Sequence, residues 1–102
     1  MKEIWLGLAE VTPKQGNDIL KGAEGAYVNV IALAISEEEY TSIVKSELLK
    51  YGFNTLAIGN IELLSDRRKT SVVDDELLDL ASLINEENIA QFDEFQAFSE
   101  RY

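Results

Sequence analysis

AYVNVIALAISEEEYTSIVKSELLKYGFNTLAIGNIELL, running from Ala26 to Leu64, is the stretch whose reading decides the fold. Ala26 to Ile35 is β-branched and nearly continuous in apolar character. That reads as a central strand covered on at least one side by helix. Ser36 then opens a helix. With Glu39 it forms an S-x-x-E capping box, and Glu37, Glu38 and Glu39 stand where the helix macrodipole favours negative charge. Tyr40, Ile43, Val44, Leu48 and Tyr51 follow at helical spacing, and Gly52 comes where a left-handed C-terminal residue is needed. Phe53 to Leu64 reads as the next strand. In it Leu56 and Ile58 are in one phase, and Ile61 and Leu63 in the other. Gly59-Asn60 between them is how a β-bulge looks in sequence, and a turn splitting the segment into two short strands is the other reading. The whole stretch is a strand–helix–strand unit of the length that a right-handed parallel crossover requires.

Upstream, Glu3 to Val11 alternates Ile4, Leu6 and Leu8 with Trp5, Gly7 and Ala9, a strand signal that Pro13 terminates. Lys14 to Gly25 reads as a surface connection in which Asn17 to Lys21 forms one helical turn. Downstream, Ser65 to Ser71 carries the basic run Arg67-Arg68-Lys69 and reads as a loop. A second helix is predicted over Asp75 to Glu87, capped by Asp74 or Ser71, with Leu77, Leu80, Ala81 and Ile84 on its buried face. The tail is ambiguous. Phe92, Phe95 and Phe98 are spaced by three, which suits a helix. Their aromatic character and the polar residues between them suit a strand around Asp93 to Ser99, with Phe95 and Ala97 on one face, and that reading is preferred.

These elements predict an α+β two-layer sandwich in the order β-β-α-β-α-β, a ferredoxin-like variant with a four-stranded mixed sheet and two helices on one face. The stripes at Ile43, Val44, Leu48, Leu77, Leu80 and Ile84 are expected to pack on Val28, Val30, Ala32, Leu56 and Ile58, or on the opposite face if the strand phase is the reverse. The other sheet face stays open, and exposed apolar residues there such as Trp5 and Tyr27 invite a homodimer or a partner.

Composition then limits the chemistry. The 102 residues form one domain with 46% apolar content, no His and no Cys, and 19 acids against 9 bases. Absence of His and Cys removes the neutral-pH general base, the thiol nucleophile and the usual zinc ligands. It also suits a reducing compartment, and with no signal peptide and no apolar run of membrane length the expected location is cytoplasmic. A net charge of −10 repels nucleic acid and anionic lipid and favours encounter with a basic protein.

No motif carries catalysis. Ser36 and Ser42 lack a nucleophile elbow and an activating base. Gly16, Gly22 and Gly25 match neither a P-loop nor a dinucleotide fingerprint. Asp74-Asp75-Glu76 has an ordinary role in starting a helix and lacks the spacing of a calcium loop. A third reading is a cation-dependent hydrolase built on Asp66, Asp74 and Asp75. The chain is therefore expected to be no enzyme, with no catalytic residues, no metal and no cofactor.

Acid distribution carries the most functional content. From Ser71 onward there are nine acids against one base, Arg101. The expected partner surface is Asp74, Asp75, Glu76, Asp79, Glu86 and Glu87, steering a basic protein in the way of an immunity protein or antitoxin. The alternative is a small-molecule-binding or regulatory module in a cleft near the central strand and first helix, with Tyr27, Asn29 and Arg67 as its ligands.

The run from Gly22 to Ala34, the capped Ser36-Glu-Glu-Glu-Tyr, Leu49-Lys-Tyr-Gly-Phe and Gly59-Asn-Ile-Glu together resemble a group of small uncharacterised bacterial α+β proteins with a ferredoxin-like pattern. The resemblance spans most of the chain and implies structure only, with no activity attached. Members of that group end on an aromatic–His step, where this chain has Phe98-Ser99-Glu100.

Overall fold

The computed structural model describes residues 2–16, 24–70, 72–73 and 75–98. The helical turn predicted over Asn17 to Lys21, the caps Ser71 and Asp74, and the end of the tail lie outside them. The described elements are β1 (Glu3–Pro13), β2 (Gly25–Ala34), α1 (Glu37–Lys50), β3 (Phe53–Leu63), α2 (Leu64–Thr70), α3 (Asp75–Ser82), β4 (Ala90–Phe92) and β5 (Gln96–Phe98). They form an α+β fold around a five-stranded sheet with the order β3-β1-β2-β4, in which β5 also pairs with β2.

Every pairing is antiparallel, so the mixed sheet predicted from the sequence is corrected. β2 and β3 do run in the same direction, because each is antiparallel to β1. Yet β1 lies between them, and the α1 connection straddles it. Crossover length alone does not distinguish neighbouring parallel strands from strands separated by one.

α1 is built as its sequence dictates. Ser36 is extended (φ −158°, ψ 166°) and its Oγ accepts from the Glu39 amide, while Glu39 Oε1 accepts from the Ile35 amide at 2.9 Å. At the other end Gly52 takes φ +86° and its amide donates to Leu49 O at 3.0 Å, a left-handed closure that a side chain would strain. Tyr40, Val44 and Leu48 are buried on a floor of small and β-branched residues: Ala9 and Val11 from β1, and Ala26, Val28, Val30, Ala32 and Ala34 from β2. Leu56, expected in this core with Ile58, is instead 57% exposed.

Two extra residues in β3 explain that. Leu6 pairs with Glu62 but Leu8 with Gly59, and Glu10 pairs with Ala57 but Val11 with Thr55. Each step inserts one residue on β3, with Asn60 left-handed at φ +55° in the first bulge. The first bulge is the one expected at Gly59-Asn60. It brings Ile61 back to the α1 face, where it packs with Ile58 on the same core despite their opposite parity. The second leaves Leu56 outside the alternation.

Helices cover both faces of the sheet, which corrects the two-layer arrangement with both helices on one side. Leu77 and Ala81 of α3 and Leu64 of α2 pack with Leu6 and Ile31, residues that point away from α1. β2 is apolar on both sides, so its sequence admitted either placement. The basic stretch read as a loop is helical in α2, and α3 ends at Ser82 rather than Glu87. After it, Asn85 Oδ1 accepts from the amides of Glu87 and Asn88, a side-chain-stabilised turn. No helix among the described residues is long and apolar enough to cross a membrane.

The tail is two short strands on one edge of β2. β5 pairs Gln96 with Tyr27, β4 pairs Phe92 with Val30, and three residues of the tail span two of β2. One extra residue therefore sits between them, and it puts Phe92 and Phe95 on the α1 side while Phe98 meets Tyr27 on the other (centroids 5.1 Å). Spacing by three here comes from a bulge, not from a helix.

Candidate functional site

α2 and α3 cover only part of the sheet face opposite α1. Ile4, Leu6 and Ile31 lie beneath or beside them. Further along the same face, Leu8 and Asn29 are half-buried and Tyr27 is 42% exposed. Strand alternation sets this row, because Leu8 pairs with Asn29 and Tyr27 with Gln96 across the ladders. Between them lies a hollow of about 230 Å³ lined by Leu8, Tyr27, Asn29, Glu94 and Gln96.

The bulge in the tail shapes its rim. The Asp93 amide donates to Asn29 O at 2.9 Å, and Asp93 Oδ1 accepts from the Glu94 amide at 2.8 Å. These bonds hold the extra residue against β2 while Glu94 borders the hollow. Its lining thus combines an aliphatic floor, an aromatic wall, two amides and one carboxylate. Among the described residues, no Lys or Arg belongs to it.

Tyr27 and Asn29 stand together as the alternation of β2 places them, but on the face away from α1, which corrects the cleft expected beside the first helix, and Arg67 is not part of their hollow. Arg67 forks onto Glu62 with Nε–Oε1 at 3.0 Å and Nη2–Oε2 at 3.2 Å, an ion pair between α2 and β3. Trp5 does not face solvent as expected. It is half-buried against the α1-side core, and its Nε1 donates to Ala34 O at 3.1 Å.

The acids predicted as a partner surface are Asp75, Glu76 and Asp79 on α3 and Glu86 and Glu87 in the turn that follows. All of these are exposed, and none enters an ion pair among the described residues. Asp74 lies outside those residues. The ion pairs that form among the described residues include Lys50 with Glu47, Arg67 with Glu62 and Lys69 with Asp66. Among the described residues no three acidic side chains converge as a cation site.

Sequence reasoning missed Leu8, Glu94 and Gln96 as partners of Tyr27. Counting back by two from Phe98 would have put Gln96 and Glu94 on one face. The aromatic spacing by three hid that alternation. A second depression of about 390 Å³ between the start of β1 and α2 is lined by Lys2, Glu3, Ile4, Leu64, Ser65 and Arg68. No known protein family, curated protein or solved structure matches this chain.

Proposed function

We propose that this chain is a non-enzymatic acidic binding domain that captures and inhibits a basic protein, in the way of an immunity protein or antitoxin. The observation that supports it most is the exposed acid set on α3 and the turn after it, which makes no ion pair among the described residues, beside the part of the same sheet face that no described helix covers. Exposed acids of this kind act through the field they create. They raise the encounter rate with a positive surface and disfavour nucleic acid and anionic lipid. The proposal rests on the surface rather than on the fold, because shared architecture assigns no activity.

The test begins with affinity capture of a basic protein at low salt, followed by rate measurements on the purified pair. Asp75→Lys, Glu76→Lys and Asp79→Lys combined should slow association by roughly tenfold or more and flatten its salt dependence, since rim charges act mainly on the on-rate. An association rate indifferent both to salt and to these reversals would count against the proposal.

A second reading is favoured by the hollow at Tyr27 and Asn29, which suits a small polar ligand. A metabolite bound there would raise the melting temperature by mass action. The shift should disappear in Asn29→Ala, and a thermal-shift screen of metabolites checks it.

A further inference from the structure

We propose that the hollow beside β2 is the socket for an arginine side chain of the basic partner, an assignment that rests on the protein-binding reading above. The lining decides the charge of its occupant. An anionic group would be brought against the Glu94 carboxylate with no cation among the described lining residues to offset it. An apolar group would strip water from Asn29, Gln96 and Glu94 without replacing their hydrogen bonds. A cation with several donors satisfies all of them.

Size and shape then select the kind of cation. About 230 Å³ falls short of the several hundred cubic ångströms typical of drug-sized ligand sites, and suits a single side chain. Tyr27 offers a ring as wall, tilted against Phe98 at 34°, and Leu8 offers an aliphatic floor. A guanidinium group is planar and weakly hydrated. It stacks on an aromatic ring while its fork of donors reaches a carboxylate and amide oxygens. The ammonium of lysine is a compact, strongly hydrated charge that gains less from the same wall. Such a socket also sits on the sheet face that carries α3, so acids that steer a basic surface deliver it towards the hollow.

The test is an NMR titration of the full chain with N-acetyl-arginine amide and, separately, with N-acetyl-lysine amide. The arginine probe should shift the side-chain amide signals of Asn29 and Gln96, and the lysine probe should shift them clearly less. Glu94→Gln should weaken the arginine probe by roughly fivefold to tenfold, the scale of one solvent-accessible charge-assisted bond. Its melting temperature should stay unchanged, since Glu94 is exposed. Arginine-induced shifts confined to Asp75, Glu76 and Asp79, and unaltered in Glu94→Gln, would overturn the socket and leave the acidic-surface proposal standing. Equal response to both probes would likewise overturn guanidinium selection. Failure of the wider proposal reads out separately, as a partner whose capture ignores salt and the α3 reversals.

Discussion

Tyr40→Ala is expected to lower folding stability by about 3–5 kcal/mol, as aromatic truncations in a packed core do. Against a total of about 5–15 kcal/mol for an ordinary domain, that places the variant near the edge of folding. Tyr40 is fully buried under α1. Its hydroxyl donates to Val30 O at 2.7 Å, joining the helix to the middle of β2. Tyr40→Phe keeps the ring and loses only that bond, so its cost should be about 1 kcal/mol. The ring also explains Gly7. A Cβ there would come within 2.7 Å of the Tyr40 hydroxyl and 3.1 Å of its ring, so Gly7→Ala should cost about 1–3 kcal/mol by overpacking. Gly7→Ala should cost less in the Tyr40→Phe background, because the nearest clashing atom is gone, and the pair is therefore non-additive. Urea denaturation of the two single variants and the double variant measures this.

Tyr40 also gives the fold an alkaline limit. Burial holds its phenol protonated well above the ordinary tyrosine range. Above about pH 10 the unfolded chain releases a proton that the folded chain keeps. The Tyr40 contribution is intact below that pH, and stability then falls by up to about 1.4 kcal/mol for each pH unit. Tyr40→Phe should remove this share of the slope, as denaturation midpoints at pH 9 to about 11 will read.

Phe53→Ala is expected to have a similar cost, about 3–5 kcal/mol, for a different reason. Phe53 opens β3 opposite Pro13 and is 1% exposed, so truncation leaves a cavity at the end of the sheet. It is also a link between distant parts of the chain. Its ring stacks on Phe95 with centroids 4.9 Å apart, and Phe95 meets Phe92, which in turn meets Tyr51 edge-on at 5.4 Å. Phe95 is only half-buried, so Phe95→Ala should cost less than Phe53→Ala. The coupling between the two should be about 0.5–1.5 kcal/mol beyond area burial. A double-mutant cycle by chemical denaturation gives that value. Additive losses would mean that the tail is held by its ladder bonds alone.

What the sequence disclosed follows from how local each signal is. The Ser36 cap, the Gly52 closure and the α1 stripe need only neighbours within a few turns, and they are present as read except at Tyr51, which follows the helix and is 56% exposed. The Gly59-Asn60 bulge was legible because two apolar phases flank it. The second bulge was not, since Leu56 looked in phase with Ile58 while its register with β1 depends on a strand more than forty residues away. The side of the sheet that α3 covers was equally hidden. Ile31 and Val30 are alike in character, and only the whole assembly decides which of them meets α1. Leu64 is the buried residue of α2, too little periodicity for a helix signal. In the candidate site, strand alternation paired Tyr27 with Asn29. Arg67 failed as their companion because Glu62, five positions earlier in the chain, binds it first.

The bulges also bear on how this chain treats copies of itself. A sheet exposes unpaired amides and carbonyls along each outer strand, and a straight strand from another molecule can template on such a row. Here β3 forms one border and β4 with β5 the other, and both borders are interrupted by inserted residues. An incoming strand would lose alignment of donors and acceptors at each interruption before a long ladder could form. High negative charge adds repulsion between like copies. The irregularities that obscure the fold in the sequence therefore also guard it against growing, strand by strand, into an aggregate.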